Sequence, residues 1–144
     1  MRRVSVLAVA FLLPLLFVLP PNLQAGSADQ RLDVYWIDSE GGGSTLIVTP
    51  AGESVLIDSG NPGGRDAGRI HKVATEVAGL KQIDHLVVTH YHIDHFGGVA
   101  ELAALMPIAN LYEHGLESAP TGERAEARLE AYRQARIGDR KSVV

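Results

Sequence analysis

Short apolar runs and helix-spaced apolar residues alternate along the chain after residue 30, and this alternation predicts a mixed α/β fold. Runs rich in β-branched and aromatic residues are typical of strands. The predicted strands lie at 32–37, 44–49, 54–57, 83–89 and 108–112. The turn Pro50-Ala51-Gly52 between the second and third runs indicates a hairpin. Residues 141–144 resemble the opening of one more strand.

Two stretches between the predicted strands carry apolar residues at i, i+3, i+4 and i+7, which is the spacing of one helical face. In the first helix these residues are Ile70, Val73, Ala74 and Val77, and in the second they are Val99, Leu102, Ala103 and Met106. Asp66 is the expected N-cap of the first helix, which Gly79 ends. A third helix is predicted from an apolar stripe at Ala125, Leu129 and Tyr132.

The first nineteen residues differ from the rest of the chain. Arg2 and Arg3 precede an apolar stretch at 4–19, and small residues follow it. This order is typical of a secretory signal peptide, so residues 1–28 are expected to direct export to the periplasm or the extracellular space. The alternative is an uncleaved membrane anchor, although the stretch is shorter than the about 20 residues that a membrane span needs. No other membrane segment is expected.

Composition narrows the chemistry of the remaining domain, residues 29–144. The chain has no cysteine, which excludes disulfides, thiolate zinc sites and a cysteine nucleophile. Its 13 basic and 17 acidic residues give a formal net charge of −4, and loss of Arg2 and Arg3 with the signal would make it −6. A mildly acidic domain carries no strong signal for nucleic-acid binding. The oligomeric state stays open.

The densest cluster of reactive side chains is His90-Tyr91-His92-Ile93-Asp94-His95, directly after a predicted buried strand. In extended backbone, residues i and i+2 point to the same side, so His90 and His92 can bind one ion together. Asp94 and His95 follow where the chain turns into a helix and can face the same pocket. Imidazole and carboxylate are suitable zinc ligands. The sequence therefore predicts a metal site; the alternative is a solvated histidine-rich turn.

These residues resemble the signature of the metallo-β-lactamase-fold hydrolase superfamily, in which a hydrophobic strand runs into T-H-x-H-x-D-H-x-G-G. Residues 87–98 (VVTHYHIDHFGG) match that signature, and residues 56–60 (LIDSG) resemble an earlier element of the same superfamily. Residues 36–47 are similar to its opening strands. The order and spacing look most like those of secreted relatives of the metallo-hydrolase domain in the DNA-uptake protein ComEC.

The resemblance implies the N-terminal half of a four-layer αββα sandwich, with metals at one edge between the two sheets. His90 and His92 would hold the first metal, and Asp94 and His95 the second, with Asp94 also taking part in proton transfer. Asp58 would lie behind the ligands and steady the metal-binding loop; the alternative for Asp58 is an Asx turn ahead of Ser-Gly. The implied metal is zinc, as two ions in a complete homologue, with other divalent metals left open.

The resulting functional hypothesis is an exported metal-dependent hydrolase that uses a metal-bound hydroxide. Its substrate class stays open among a phosphodiester, an ester or lactone and a β-lactam. The superfamily takes further histidine and aspartate ligands from its C-terminal half, whereas only His114 and Asp139 follow His95 here. Asp139 is expected in a turn and His114 in a turn or loop, with a place near the pocket as the alternative for His114. The alternative is therefore a C-terminally truncated copy that binds metal and catalyses nothing by itself.

Overall fold

The computed structural model describes residues 30–113, 115, 129–134 and 142–143, and its strands form one mixed sheet. The strands are β1 (Asp33–Trp36), β2 (Thr45–Val48), β3 (Ser54–Ile57), β4 (Ile83–Val87), β5 (Ile108–Tyr112) and β6 (Ser142–Val143). They lie side by side in chain order. The five predicted strands are confirmed, and the two-residue β6 lies where a strand opening was predicted.

The sheet changes from antiparallel to parallel pairing at β3. The first three strands form an antiparallel meander, and β3, β4, β5 and β6 then run parallel to one another. Thr49 N–H donates to the carbonyl of Glu53 at 2.8 Å and Gly52 N–H donates to that of Thr49 at 2.8 Å, which confirms the predicted β2–β3 hairpin. Because parallel strands end at the same edge, the residues that follow β3, β4 and β5 are neighbours there.

In the described part of the chain, four α-helices connect or follow the strands. They are α1 (Arg65–Lys72), α2 (Ile93–Phe96), α3 (Val99–Leu105) and a helix at 129–134, called α4. None of the helices among the described residues is long and apolar enough to cross a membrane. The predicted signal segment 1–28 and the predicted stripe residue Ala125 lie outside the described residues, whereas Leu129 and Tyr132 are buried on α4 as predicted.

The first helix differs from its prediction at its start and in its last turn, whereas its end at Gly79, which has a φ of 69°, is as predicted. Gly64, not Asp66, is the N-cap, because the Asp66 carboxylate turns inward and accepts the backbone N–H of Asn61 at 2.8 Å. At the other end the backbone widens into a π-helical turn at Val73–Val77, where Ala78 N–H donates to the carbonyl of Val73. The extra residue in this turn rotates Val77 outward, so that Val77 is 51% exposed while Ala78 is buried.

The second predicted stripe is correct at three of its four positions. Val99, Leu102 and Met106 are buried, whereas Ala103 is exposed. The helix α3 therefore packs through a narrower face, spaced i, i+3 and i+7, and Ala103 lies beside that face.

One row of leucines across the sheet forms the centre of the core. Leu46, Leu56, Leu86 and Leu111 are paired in register on β2 to β5, and each is at most 2% exposed. They belong to one hydrophobic cluster with residues of α1, α3 and α4. The opposite face is more open, since Trp36 on β1 is 82% exposed. One sheet with helices on one face accounts for two of the four implied layers.

A polar contact fixes the register between β3 and β4. The hydroxyl of Ser54 donates to Asp84 Oδ2 at 2.7 Å, the Ser54 N–H donates to the same oxygen, and Gln82 donates to Oδ1. Burial raises the pKa of Asp84, but the hydrogen bonds from Gln82 and Ser54 outweigh burial and lower its pKa below the ordinary value. The ionised carboxylate is therefore the form that stabilises this contact.

Candidate metal centre

The histidine-rich segment lies at the carboxyl edge of the parallel strands. Residues 89–96, called the metal loop below, leave β4 in extended conformation, and His92 still has φ −78° and ψ 140°. The helix α2 begins at Ile93, so Asp94 and His95 occupy its first turn. The ring of His90 lies 4.7 Å from that of His92 and 3.9 Å from that of His95, measured between centroids. The structure thus brings the three predicted imidazoles side by side.

Asp94 and His95 form a second pair of donors within this group. The Nε2 atom of His95 lies 3.7 Å from Asp94 Oδ2. Two ligands that are each about 2.1 Å from one tetrahedral ion are about 3.4 Å apart, so this separation is close to that of two ligands sharing an ion. The side chains are 23% and 31% exposed, which leaves the pair open to solvent.

Asp58 lies behind the metal loop and hydrogen-bonds to it at three points. It follows β3 and has a φ of 61°, a left-handed conformation that aspartate tolerates better than most residues. Its Oδ1 accepts the N–H of Thr89 at 2.8 Å, and its Oδ2 lies 2.7 Å from the Thr89 hydroxyl and 2.8 Å from Nδ1 of His95. The N–H of Gly60, which an Asx turn would use, donates instead to the carbonyl of Gly43.

These contacts select which nitrogen of each neutral imidazole can bind a metal ion. When Nδ1 of a neutral His95 ring donates to the Asp58 carboxylate, Nε2 keeps its lone pair. The Thr89 hydroxyl donates to Asp58 and can accept from Nδ1 of His90, which lies 3.0 Å away. Nε2 of His90 then also keeps its lone pair. One carboxylate therefore orients a histidine of each predicted metal pair, directly for His95 and through Thr89 for His90.

Glycines allow the neighbouring loops to approach the metal loop. A Cβ on Gly42 would lie 1.9 Å from the carbonyl oxygen of Asp94, so only glycine fits there. A Cβ on Gly98 would lie 2.3 Å from the carbonyl oxygen of Ser59. The N–H of Ser59 in turn donates to the carbonyl of His95 at 2.7 Å. Gly97 approaches its neighbours as closely, since a Cβ there would lie 2.4 Å from Cδ of Pro62. The contact at Gly42 was not predicted, because a contact glycine and a turn glycine look alike in sequence.

A second set of polar contacts holds the metal loop at Tyr91. The hydroxyls of Tyr91 and Tyr132 both donate to Oε2 of Glu113, at 2.7 and 2.5 Å. Burial and the adjacent Glu113 raise the pKa of Tyr132 far above its ordinary value, so its hydroxyl stays a donor. Sequence reasoning missed this set, as well as the hydroxyl of Thr89, because Glu113 and Tyr132 are far from the motif along the chain.

The donor chemistry fits a divalent metal, although the described residues supply ligands only in pairs. Histidine and aspartate are metal ligands, and a carboxylate behind a ligating histidine is the usual arrangement around such sites. Among residues 30–113, 115 and 129–134, no group of three such side chains converges closely enough to hold an ion. His114 and Asp139, the other two candidates, lie outside the described residues.

The family to which these features point is given by comparison with known proteins. The sequence profile of the Metallo-beta-lactamase superfamily matches residues 38–142. The chain belongs to the metallo-beta-lactamase superfamily. The match covers β2 to β5, the first residue of β6 and the metal loop, and the fold agrees with the N-terminal part of the superfamily's fold.

A curated relative is similar over 99 residues of the chain. A UPF0173 metal-dependent hydrolase from Polynucleobacter asymbioticus is 30% identical over 99 residues, which are 69% of this chain and 33% of the relative. The matched part of the chain thus spans about a third of that relative's length. Superfamily membership and this relative together support metal-dependent hydrolysis as the general class of chemistry.

Proposed function

We propose that this protein is a metal-dependent hydrolase whose metal-binding residues are His90, His92, Asp94 and His95. The observation that carries the proposal is the pair of hydrogen-bond paths from Asp58. These paths leave Nε2 of His90 and of His95 available as metal ligands. A histidine-rich turn with no metal does not require one buried carboxylate that orients two histidines so that Nε2 of each can bind metal. The superfamily match gives this arrangement its chemical context.

Each side chain has a distinct role in the proposal. His90 and His92 hold one ion, and Asp94 and His95 hold a neighbouring one or the same one. A divalent ion bound there supplies Lewis acidity and lowers the pKa of a coordinated water. Asp94 Oδ2 lies beside Nε2 of His95 and is placed to accept a proton. Asp58 keeps His95 in the tautomer in which Nε2 can bind metal.

The finer features remain part of the proposal. Zinc is the metal that this mixture of imidazole and carboxylate suits best. The resemblance to secreted relatives of the ComEC domain and the apolar N-terminus favour an exported enzyme. That resemblance points weakly to a phosphodiester, and esters, lactones and β-lactams are the other substrate classes.

Hydrolysis assays on the full chain test this proposal. We expect turnover of a chromogenic phosphodiester, ester or β-lactam that requires a divalent metal and is lost in His92→Ala. The matched control is His71→Ala, because His71 lies on α1, away from the metal loop. Turnover that persists in His92→Ala, or that does not depend on metal, would contradict the assignment.

A second candidate function is metal binding without turnover. It is favoured by the finding that, within the described part of the chain, no three potential ligands converge on one position. In that case the protein would bind zinc through His92 and yet hydrolyse none of the three substrate classes. Measuring bound metal and turnover on the same samples separates the two functions.

A further inference from the structure

We propose that Glu113 and Tyr132 are positioning residues that brace the metal loop from behind, acting through Tyr91. The inference deepens the proposed function and rests on its assignment of the metal loop. It concerns a polar cluster that contacts the loop at Tyr91, whereas Asp58 contacts the loop at Thr89 and His95. The cluster consists of Tyr91, Glu113 and Tyr132, and is called the brace below.

Tyr91 lies between two predicted ligands along the chain. Tyr91 separates His90 from His92, and in extended backbone its side chain points away from theirs. The side chain is buried, with 4% of its surface exposed, and its hydroxyl donates to Glu113 Oε2 at 2.7 Å. The buried position of Tyr91 therefore determines how far the imidazoles of His90 and His92 extend from the edge of the sheet.

Glu113 joins three separate elements of the structure. It follows β5, so it is fixed to the sheet beside the end of β4, where Val88 N–H donates to the carbonyl of Tyr112 at 2.9 Å. Its Oε2 accepts a hydrogen bond from Tyr91 and one from Tyr132 on α4. One oxygen thus connects the sheet, the metal loop and α4.

Ring packing supports these hydrogen bonds. The rings of Tyr91, Phe96 and Tyr132 form a closed triangle with centroid separations of 5.5 to 5.9 Å and interplanar angles of 76 to 80°. Edge-to-face contacts at these separations are an arrangement that aromatic pairs favour. Since Tyr91 and Phe96 lie near the two ends of the metal loop, α4 holds the loop at both ends.

The test separates positioning from general stability with variants that remove single atoms. Tyr91→Phe and Tyr132→Phe each remove one tyrosine hydroxyl that donates to Glu113, and both leave the ring triangle in place. A matched control is Val48→Ala, which removes buried volume from β2, outside the brace. Glu113→Gln keeps an acceptor oxygen, whereas Glu113→Leu removes it, so the first should retain wild-type behaviour more closely than the second.

The first readout needs no metal. In metal-free full chain, imidazole proton–nitrogen spectra should show shifted His90 and His92 ring signals in Tyr91→Phe, Tyr132→Phe and Glu113→Leu. The ring signals of His71, on α1, should not move. In Val48→Ala the signals of His90 and His92 should stay where they are. Unshifted His90 and His92 signals in all three brace variants would overturn the inference.

The second readout is metal binding. We expect the zinc dissociation constant to rise about two- to tenfold in the tyrosine variants, as for the loss of one buried hydrogen bond, with a changed visible spectrum of the cobalt form. Weaker zinc binding in Val48→Ala by the same factor would reduce the brace to a stability effect and overturn the inference. If the wild type binds zinc but hydrolyses nothing, only the proposed function fails.

Discussion

Replacing Asp58 by Asn should weaken metal binding because it removes the acceptor that orients His95. Asp58 accepts three hydrogen bonds, two from Thr89 and one from Nδ1 of His95. Asparagine retains one acceptor oxygen for the Thr89 N–H, but it places an NH2 group where Oδ2 now meets two donors. His95 then loses its partner or turns its ring, and Nε2 no longer faces Asp94.

The expected magnitude follows from the buried position of this carboxylate, which is 4% exposed. Loss of a partner behind a metal ligand costs about 10- to 100-fold in metal affinity, which is about 1.4 to 2.7 kcal/mol. We place Asp58→Asn towards the upper end, because the same change also disturbs the path through Thr89 to His90.

The assay is an equilibrium zinc titration of the full chain against a chromophoric chelator, with circular dichroism to verify folding. The matched control is Asp38→Asn, the same chemical change at a carboxylate that is 75% exposed and pairs with Arg69. The control should bind zinc as the wild type does. A folded Asp58→Asn protein whose dissociation constant stays within twofold of the wild type would refute the reasoning.

Other changes test single contacts of the structure. Thr89→Val should weaken zinc binding about tenfold by cutting the path to His90, and Thr89→Ser should restore it; equal affinities in the two variants would argue against the path. Ser54→Ala should destabilise the chain by about 1–3 kcal/mol near neutral pH. The pKa of Asp84 is lowered on folding, so this stabilisation is present above its unfolded pKa of about 3.9 and is lost as the pH falls through the folded value. Denaturant unfolding at pH 7 and pH 3 should therefore give a smaller difference at the lower pH, and a constant difference would contradict the assignment. Gly42→Ala should reduce both folding yield and zinc affinity, because its Cβ would overlap the carbonyl of Asp94.

The positions of β1 to β5 along the chain and the metal loop were predictable from sequence because they depend on local patterns. Alternating or continuous apolar runs predicted β1 to β5, and the spacing of His90, His92 and His95 predicted that they would meet. The register of the leucine row across the sheet also follows once the hairpin and the parallel pairing are given.

The errors and omissions arise where a contact that the periodicity does not encode decides the local outcome. Asp66 has the chemistry of an N-cap, but its carboxylate turns inward to accept the N–H of Asn61. Val77 matches the helical stripe, but it lies in the π-helical turn, whose extra residue turns it outward. The brace joins Tyr91 to Tyr132 through Glu113, and no periodicity in the sequence marks a contact across such separations.

The central claim is that the metal loop binds a divalent ion through Nε2 of histidines oriented by Asp58. The most direct test is the zinc content of purified full chain at equilibrium, measured for the wild type, His95→Ala and His71→Ala. We predict that the wild type and His71→Ala retain the same zinc and that His95→Ala loses it or binds it at least tenfold more weakly. Equal zinc in all three proteins would contradict the claim.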